Sequence, residues 1–127
     1  MEKESKFSWK KRGKAFIYAW QGFKALLRYE HNARIHLVAA VVAICAGIIF
    51  GISAVEWCVV VMCIGLVIAA EALNSAVEAL ADKISPDYDP LIGRAKDLGA
   101  TAVTLLALVA AAVGCIVYLP YIIRWFS

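Results

Sequence analysis

The feature that most constrains this chain is a set of three long apolar stretches with almost no charge. Residues 98–123 contain no charged side chain, and residues 35–52 have His36 as their one polar side chain. The third stretch, residues 57–70, runs on into a segment that carries acids. Because a helix rises 1.5 Å per residue, ~20 residues suffice to cross a bilayer. The sequence therefore predicts an all-α membrane protein with three transmembrane helices.

Composition excludes a small soluble domain. The chain has 127 residues, of which 63% are hydrophobic and 18% are charged, whereas a soluble protein is about half apolar and about a quarter charged. We predict one domain over residues 1–127. Its parts are a surface helix at about 6–29, transmembrane helices at about 32–52, 56–82 and 94–120, and a cytoplasmic loop at about 83–93.

Positive charge is concentrated in the N-terminal segment, where nine of the 13 Lys and Arg residues precede residue 35. An apolar stretch follows them, so anionic lipid headgroups are the expected counter-charge and no nucleic-acid partner is predicted. Aromatic residues recur there at helical spacing beside a cationic face, which is typical of an amphipathic helix lying in the membrane interface. By the positive-inside rule, the N-terminus is cytoplasmic and the C-terminus lies outside. The nine cations are Lys3, Lys6, Lys10, Lys11, Arg12, Lys14, Lys24, Arg28 and Arg34.

Two glycines near the end of the first span, Gly47 and Gly51, are open to two interpretations. Their GxxxG spacing can bring two helices close together. Alternatively, Gly51 ends the span as a helix cap.

Polar residues recur on the second span at Glu71, Asn74, Ser75, Glu78 and Asp82. Their offsets of 0, 3, 4, 7 and 11 place them on one face of a helix. Ionisable groups within a membrane helix face a protein interior or a cavity and mark function. Counted from Trp57, Glu71 lies ~21 Å along the helix and Glu78 ~32 Å, so the stripe reaches the cytoplasmic interface.

Further polar residues are expected to join this stripe on the cytoplasmic side, giving four carboxylates, an amide and two cations. Carboxylates suit Mg²⁺ that carries a nucleotide's phosphates, and a carboxylate can also take the proton of an attacking hydroxyl. The usual phosphate-binding motifs are absent, so these residues alone leave phosphoryl transfer and transport both open. The full set is Glu30, Glu71, Glu78, Asp97, Asn74, Arg94 and Lys96.

Two segments resemble the small prokaryotic diacylglycerol kinase family. They are EALNSAVE at 71–78 and GRAKDLGA at 93–100, supported by WQGFK at 20–24 and EHNAR at 30–34. The resemblance covers roughly residues 7–119. It implies a homotrimeric, multi-pass protein of the bacterial inner membrane that transfers phosphate from ATP, with Mg²⁺, to a lipid alcohol. A trimer would also shield the acidic stripe from lipid.

Site roles follow from the same resemblance, position by position. Glu71 matches the catalytic base, and Glu30 and Glu78 match the carboxylates that hold metal ions bound to ATP. The ATP site is thus predicted to contain Tyr18, Glu30, Asn74, Glu78, Gly93, Lys96 and Asp97. The lipid substrate is predicted to meet Arg34, His36 and Glu71.

The form N-x-R-I-H at residues 32–36 is similar to the undecaprenol kinase branch, whereas the segment at 93–99 is similar to the diacylglycerol branch. Undecaprenol is the favoured acceptor and diacylglycerol the second. The alternative function is a small oligomeric transporter or channel, and a third is a membrane assembly factor without catalysis.

Overall fold

The computed structural model describes residues 6–127, so Lys3 of the basic segment lies outside the described residues. This part of the chain forms four α-helices and no strand. They are α1 (Trp9–Tyr29), α2 (His31–Phe50), α3 (Ala54–Ile84) and α4 (Pro90–Trp125). The last three are long and apolar enough to cross a membrane. The predicted all-α membrane architecture is confirmed.

Helix α1 is separated from α2 by a single residue. Its start is capped by Ser8, whose hydroxyl accepts a hydrogen bond from the Lys11 N–H. At its end Glu30 adopts an extended conformation, which breaks the helix, and the N–H of Glu30 donates to the Leu26 carbonyl. Leu26 is the one buried residue of α1, so most of the helix is exposed along the bundle.

A tight turn joins α2 to α3, and Gly51 ends α2 there as a helix cap. Gly51 has φ +63°, a left-handed conformation that suits glycine, and it caps α2. Gly47 is buried against Trp57 of α3, where a Cβ would come within 2.7 Å of the indole ring. Ser53 and Glu56 then form a reciprocal capping box that starts α3.

Helix α4 begins at Pro90, before the predicted start at about residue 94, and continues through Pro120 to Trp125. Proline is favoured in the first helical turn, and Asp89 caps the start by accepting from two backbone N–H groups. The α3–α4 connection is thus confined to residues 85–89. We refer to this end of the bundle as the loop end and to the Gly51–Ser53 end as the turn end.

The four helices form a thin bundle in which α3 packs chiefly against α4. Buried apolar residues are few, and a small core at the turn end contains Ile52, Val60 and Val117. Most large apolar side chains of the three long helices are exposed. In a membrane-spanning bundle, these side chains are the surface that faces lipid or another copy of the chain.

Candidate active site at the loop end of the bundle

Glu71 is the one charged side chain buried within the described residues, with 2% of its surface exposed. It lies on α3 opposite His36 of α2, whose Nε2 is 3.2 Å from Glu71 Oε1. The pair is within ion-pair distance, yet it is not aligned as a hydrogen bond, and Oε1 has no other partner. A buried carboxylate without a hydrogen bond is costly, so this position is one where function is expected.

One turn further along α3, Asn74 and Glu78 continue the polar stripe. Asn74 Nδ2 donates to Glu78 Oε1 at 3.4 Å, a long contact. Its Oδ1 is buried without a partner and lies against Gly99 of α4, where any Cβ would collide with it. Gly99 therefore allows α4 to approach the amide closely. Ser75 Oγ is also buried without a partner.

Glu30 lies at the α1–α2 break and is half-buried. It lines an open groove of ≈ 730 Å³ between α1 and α3. The groove wall is mostly apolar and includes Gly22, Phe23 and Leu26 from α1, with Ser75 from α3. Glu78 lies two turns after Glu71 on the same face of α3, and Glu30 lies immediately before α2 at the same end of the bundle. The fold thus gathers three carboxylates around the loop end of the bundle.

A second cavity of ≈ 250 Å³ lies among α2, α3 and α4. Its walls are small and apolar, with Ala39, Ala40, Ala107 and Ala111 among them, and His36 is also part of its lining. His36 therefore borders an apolar cleft and contacts the buried carboxylate. The cleft has the lining expected of a site for a hydrocarbon chain.

The predicted residues of α4 lie near the surface. Lys96 Nζ bonds Asp82 Oδ1 at 2.5 Å, which ties the first turns of α4 to the end of α3. Asp97, the residue that follows Lys96, is exposed. Gly93 is half-buried beside the Tyr88 ring of the loop, at an ordinary van der Waals distance for an added Cβ.

Two predicted residues are placed apart from the carboxylates. Tyr18 is 64% exposed on α1 and forms no hydrogen bond with the stripe. The guanidinium of Arg34 donates from Nε to the Leu27 carbonyl and from Nη2 to the Arg28 carbonyl, both at 2.5 Å. In this structure Arg34 caps the C-terminal end of α1, because a cation satisfies the unpaired carbonyls there.

Sequence reasoning did not predict three features of the site: the His36–Glu71 contact, the Asp82–Lys96 pair and the packing of Asn74 on Gly99. Each joins different helices, so no local spacing reveals it. The Asp82–Lys96 pair had the strongest signal, since opposite charges flank a short connection. Ser75 of the polar stripe is half-buried beside the groove, and its Oγ is enclosed without a hydrogen-bond partner.

A metal site formed by protein ligands alone is not present in residues 6–127, where no three His, Cys, Asp or Glu side chains are grouped suitably. This does not conflict with the two carboxylates predicted to hold a metal. Mg²⁺ is commonly bound through one or two carboxylates together with the phosphates of a substrate. That Glu30 and Glu78 hold an ion arriving with a nucleotide stays a prediction.

This multi-pass membrane protein has a buried carboxylate and further acids towards one end of its bundle, beside an apolar cleft that runs from His36 towards the turn end. These are the parts of a membrane enzyme that acts on lipid. Residues 17–118 match the model of the prokaryotic diacylglycerol kinase family. An undecaprenol kinase of Bacillus subtilis is 33% identical over 107 residues, covering 84% of this chain and 87% of that protein. A diacylglycerol kinase of Escherichia coli K12 is 36% identical over 103 residues, covering 81% of this chain and 84% of that protein.

The chain belongs to the prokaryotic diacylglycerol kinase family, and it is a lipid kinase. The predicted enzyme class is confirmed. The alternative of a small transporter or channel is not favoured by this membership. A cyanobacterial relative, the diacylglycerol kinase of Synechocystis, is 35% identical over 107 residues, covering 84% of this chain and 61% of that protein.

Proposed function

We propose that this kinase transfers the γ-phosphoryl group of ATP to the hydroxyl of a membrane lipid alcohol at the cytoplasmic interface, with undecaprenol favoured over diacylglycerol. The observation that carries the proposal is the placement of Glu71. It is a buried carboxylate with an unpaired oxygen, beside a histidine that lines an apolar cleft. A lipid whose chain occupies the cleft would present its hydroxyl to this carboxylate.

In the proposed reaction Glu71 is the general base. Its carboxylate takes the proton of the lipid hydroxyl while the hydroxyl oxygen attacks the γ-phosphorus. A new bond joins that oxygen to phosphorus, the bond from phosphorus to the bridging oxygen breaks, and ADP leaves. General-base catalysis of this kind contributes about 10²- to 10⁴-fold to the rate.

The nucleotide is proposed to lie in the groove between α1 and α3, where the half-buried Glu30 forms part of the lining. Glu30 and Glu78 would hold Mg²⁺ with the phosphates, and that ion would neutralise charge on the transferred group. Asn74, Lys96 and Asp97 would face the phosphates. Tyr18 and Gly93 would lie near the nucleoside.

The acceptor is proposed from the sequence around His36. The N-x-R-I-H form is similar to the undecaprenol kinase branch, and one relative of 33% identity is an undecaprenol kinase. Diacylglycerol is the second candidate because the other relatives described above are named diacylglycerol kinases. Arg34 and His36 would lie near the lipid headgroup.

The assembly is proposed to be a homotrimer in the bacterial inner membrane, with the N-terminus and the loop end on the cytoplasmic side. Support comes from the acids at this end, since Asp97 is exposed and Glu78 only half-buried in a single chain. A neighbouring copy would shield them from lipid. The basic α1 fits the anionic cytoplasmic leaflet.

The test is a radiolabelled-ATP assay on the purified protein in mixed micelles with Mg²⁺, offering undecaprenol and diacylglycerol in parallel. We expect labelled undecaprenyl phosphate as the main product and no ATP consumption without a lipid alcohol. A higher kcat/KM for diacylglycerol would reverse the acceptor assignment. ATP hydrolysis that is independent of lipid would contradict the proposed transfer.

A further inference from the structure

His36 is the titratable side chain that contacts Glu71. In residues 6–127, ion-pair contacts are limited to His36–Glu71 and Lys96–Asp82. The side chain of Glu71 is 3% exposed, and that of His36 is 25% exposed. The imidazole is therefore a partly accessible group that meets an otherwise enclosed carboxylate.

The other charged groups near Glu71 cannot orient it. Glu30 and Glu78 act on it electrostatically but are carboxylates, so when ionised they repel it and have no proton to donate. Arg34 is held by the carbonyls at the end of α1, and Lys96 is held by Asp82. Within residues 6–127, His36 is the one basic group within ion-pair distance of Glu71.

A base on a helix needs such a partner. The glutamate side chain has three rotatable bonds, and a carboxylate that is not held fixed spends little time in the orientation that takes a proton. Misplacing a catalytic group by about 1 Å can lower the rate about 100-fold. Catalytic bases are commonly oriented by a further hydrogen-bonding group for this reason.

We propose that His36 is a positioning residue for Glu71, donating from Nε2 to Oε1 across the α2–α3 interface and leaving Oε2 to take the lipid proton. The 3.2 Å separation needs only a small rotation of either side chain to become a hydrogen bond. This inference rests on the proposed role of Glu71 as base. It gives His36 a role that acts through another residue, in addition to lining the cleft.

The test compares H36L with H36Q. Leucine fills the space without a donor, whereas glutamine can place an amide N–H near the position of Nε2. We expect H36L to lower kcat about 10- to 100-fold, with the KM values for lipid and ATP within about twofold of wild type. H36Q should recover most of kcat. H31L is the matched control, because His31 is exposed on the first turn of α2 and should leave kcat unchanged.

A double-variant comparison separates positioning from direct lipid contact. If His36 acts through Glu71, adding H36L to E71Q should change kcat less than about twofold further. If the reductions in kcat of the two single variants multiply in the double variant, the positioning role is overturned in favour of a lipid contact. A raised lipid KM with normal kcat in H36L would have the same consequence. Normal kcat in H36L would overturn it as well.

The same variants distinguish this inference from the proposed function. An inactive E71Q enzyme with an unaffected H36L enzyme contradicts the role of His36 alone. A fully active E71Q enzyme contradicts the base assignment, and the positioning role falls with it. Circular dichroism and gel filtration of each variant check that the helical fold and oligomeric size are retained.

Discussion

Helix α3 carries two glutamates, Glu56 in its first turn and Glu71 past its middle, and their surroundings differ. Glu56 Oε1 accepts hydrogen bonds from the Ser53 N–H at 3.0 Å and from the Tyr121 hydroxyl at 2.5 Å. The Tyr118 hydroxyl nearby donates to the Ala43 carbonyl at 2.6 Å. Glu71 is more deeply buried and has an oxygen with no hydrogen bond.

The turn end stabilises the bundle, whereas the loop end holds the proposed catalytic groups. At the turn end, hydrogen bonds join α2, α3 and α4, and Phe50 stacks on Tyr121 with ring centroids 5.8 Å apart. At the loop end, Glu71, Asn74 and Ser75 each have a buried polar atom without a partner. Such an atom costs about 1–3 kcal/mol when left unpaired. Three of them on one helix face oppose stability, so their presence is better explained by function.

The largest effect is expected from replacing with glutamine the glutamate at each end of the bundle, Glu71 at the loop end and Glu56 at the turn end. E71Q should lower kcat about 10²- to 10⁴-fold while nucleotide binding persists, because the amide cannot take the proton. E56Q should leave kcat within about twofold but lower the thermal midpoint, since the amide weakens the bonds from Ser53 and Tyr121. Lipid kinase assays and thermal unfolding in detergent measure the two properties.

The opposite results would contradict these roles of the two ends. If E56Q abolished turnover without loss of stability, the turn end would have to take part in the reaction. If E71Q were fully active, the burial of Glu71 would contribute to the structure and not to catalysis.

Glu78 is the second acid of α3 at the loop end, and its proposed role is to hold the metal ion. E78Q should raise the Mg²⁺ concentration needed for half-maximal activity and the KM for ATP by about 10- to 100-fold, because it removes an ionised ligand. The lipid KM should change little. E56Q is the matched control for loss of one acid on α3, and an unchanged Mg²⁺ dependence in E78Q would remove Glu78 from the metal site.

A smaller effect is expected at Gly99. A Cβ there would collide with the Asn74 amide, so G99A should cost about 1–3 kcal/mol of stability through overpacking. It should also lower activity, because Asn74 would have to move. G114A on the same helix is the control, since nothing lies within 4 Å of the added methyl group. Equal thermal midpoints for the two variants would mean that α4 does not approach α3 closely at Asn74.

The helices and the acidic face could be predicted from the sequence because each depends on local pattern. Span length follows from runs of apolar residues, and the offsets between Glu71 and Glu78 fix their common face whatever the helix packs against. The break at Glu30 and the early start of α4 at Pro90 are harder to predict from the sequence. Both depend on caps whose partners are set by backbone geometry.

The contacts between helices could not be predicted in this way. Residues 37–50 of helix α2 are apolar on all sides, so their sequence pattern does not reveal which face meets α3. The rotation that brings His36 to Glu71 is set by packing of small residues such as Ala40 and Gly47 along the interface. The same limit applies to Arg34, whose carbonyl partners on α1 become accessible only because the chain turns sharply at Glu30.

The smallest effect is expected at the exposed pair of Lys96 and Asp82, whose side chains are 40% and 68% exposed. Solvent and salt screen such a pair, so D82N should change the thermal midpoint little. D82N should also leave the KM for ATP nearly unchanged, since the cation remains. K96M removes the cation together with the pair, and we expect it to raise that KM on the order of tenfold. If D82N matched K96M in ATP KM, the pair would act by holding Lys96 towards the phosphates, and the loop end would then use a stabilising contact of the kind found at the turn end.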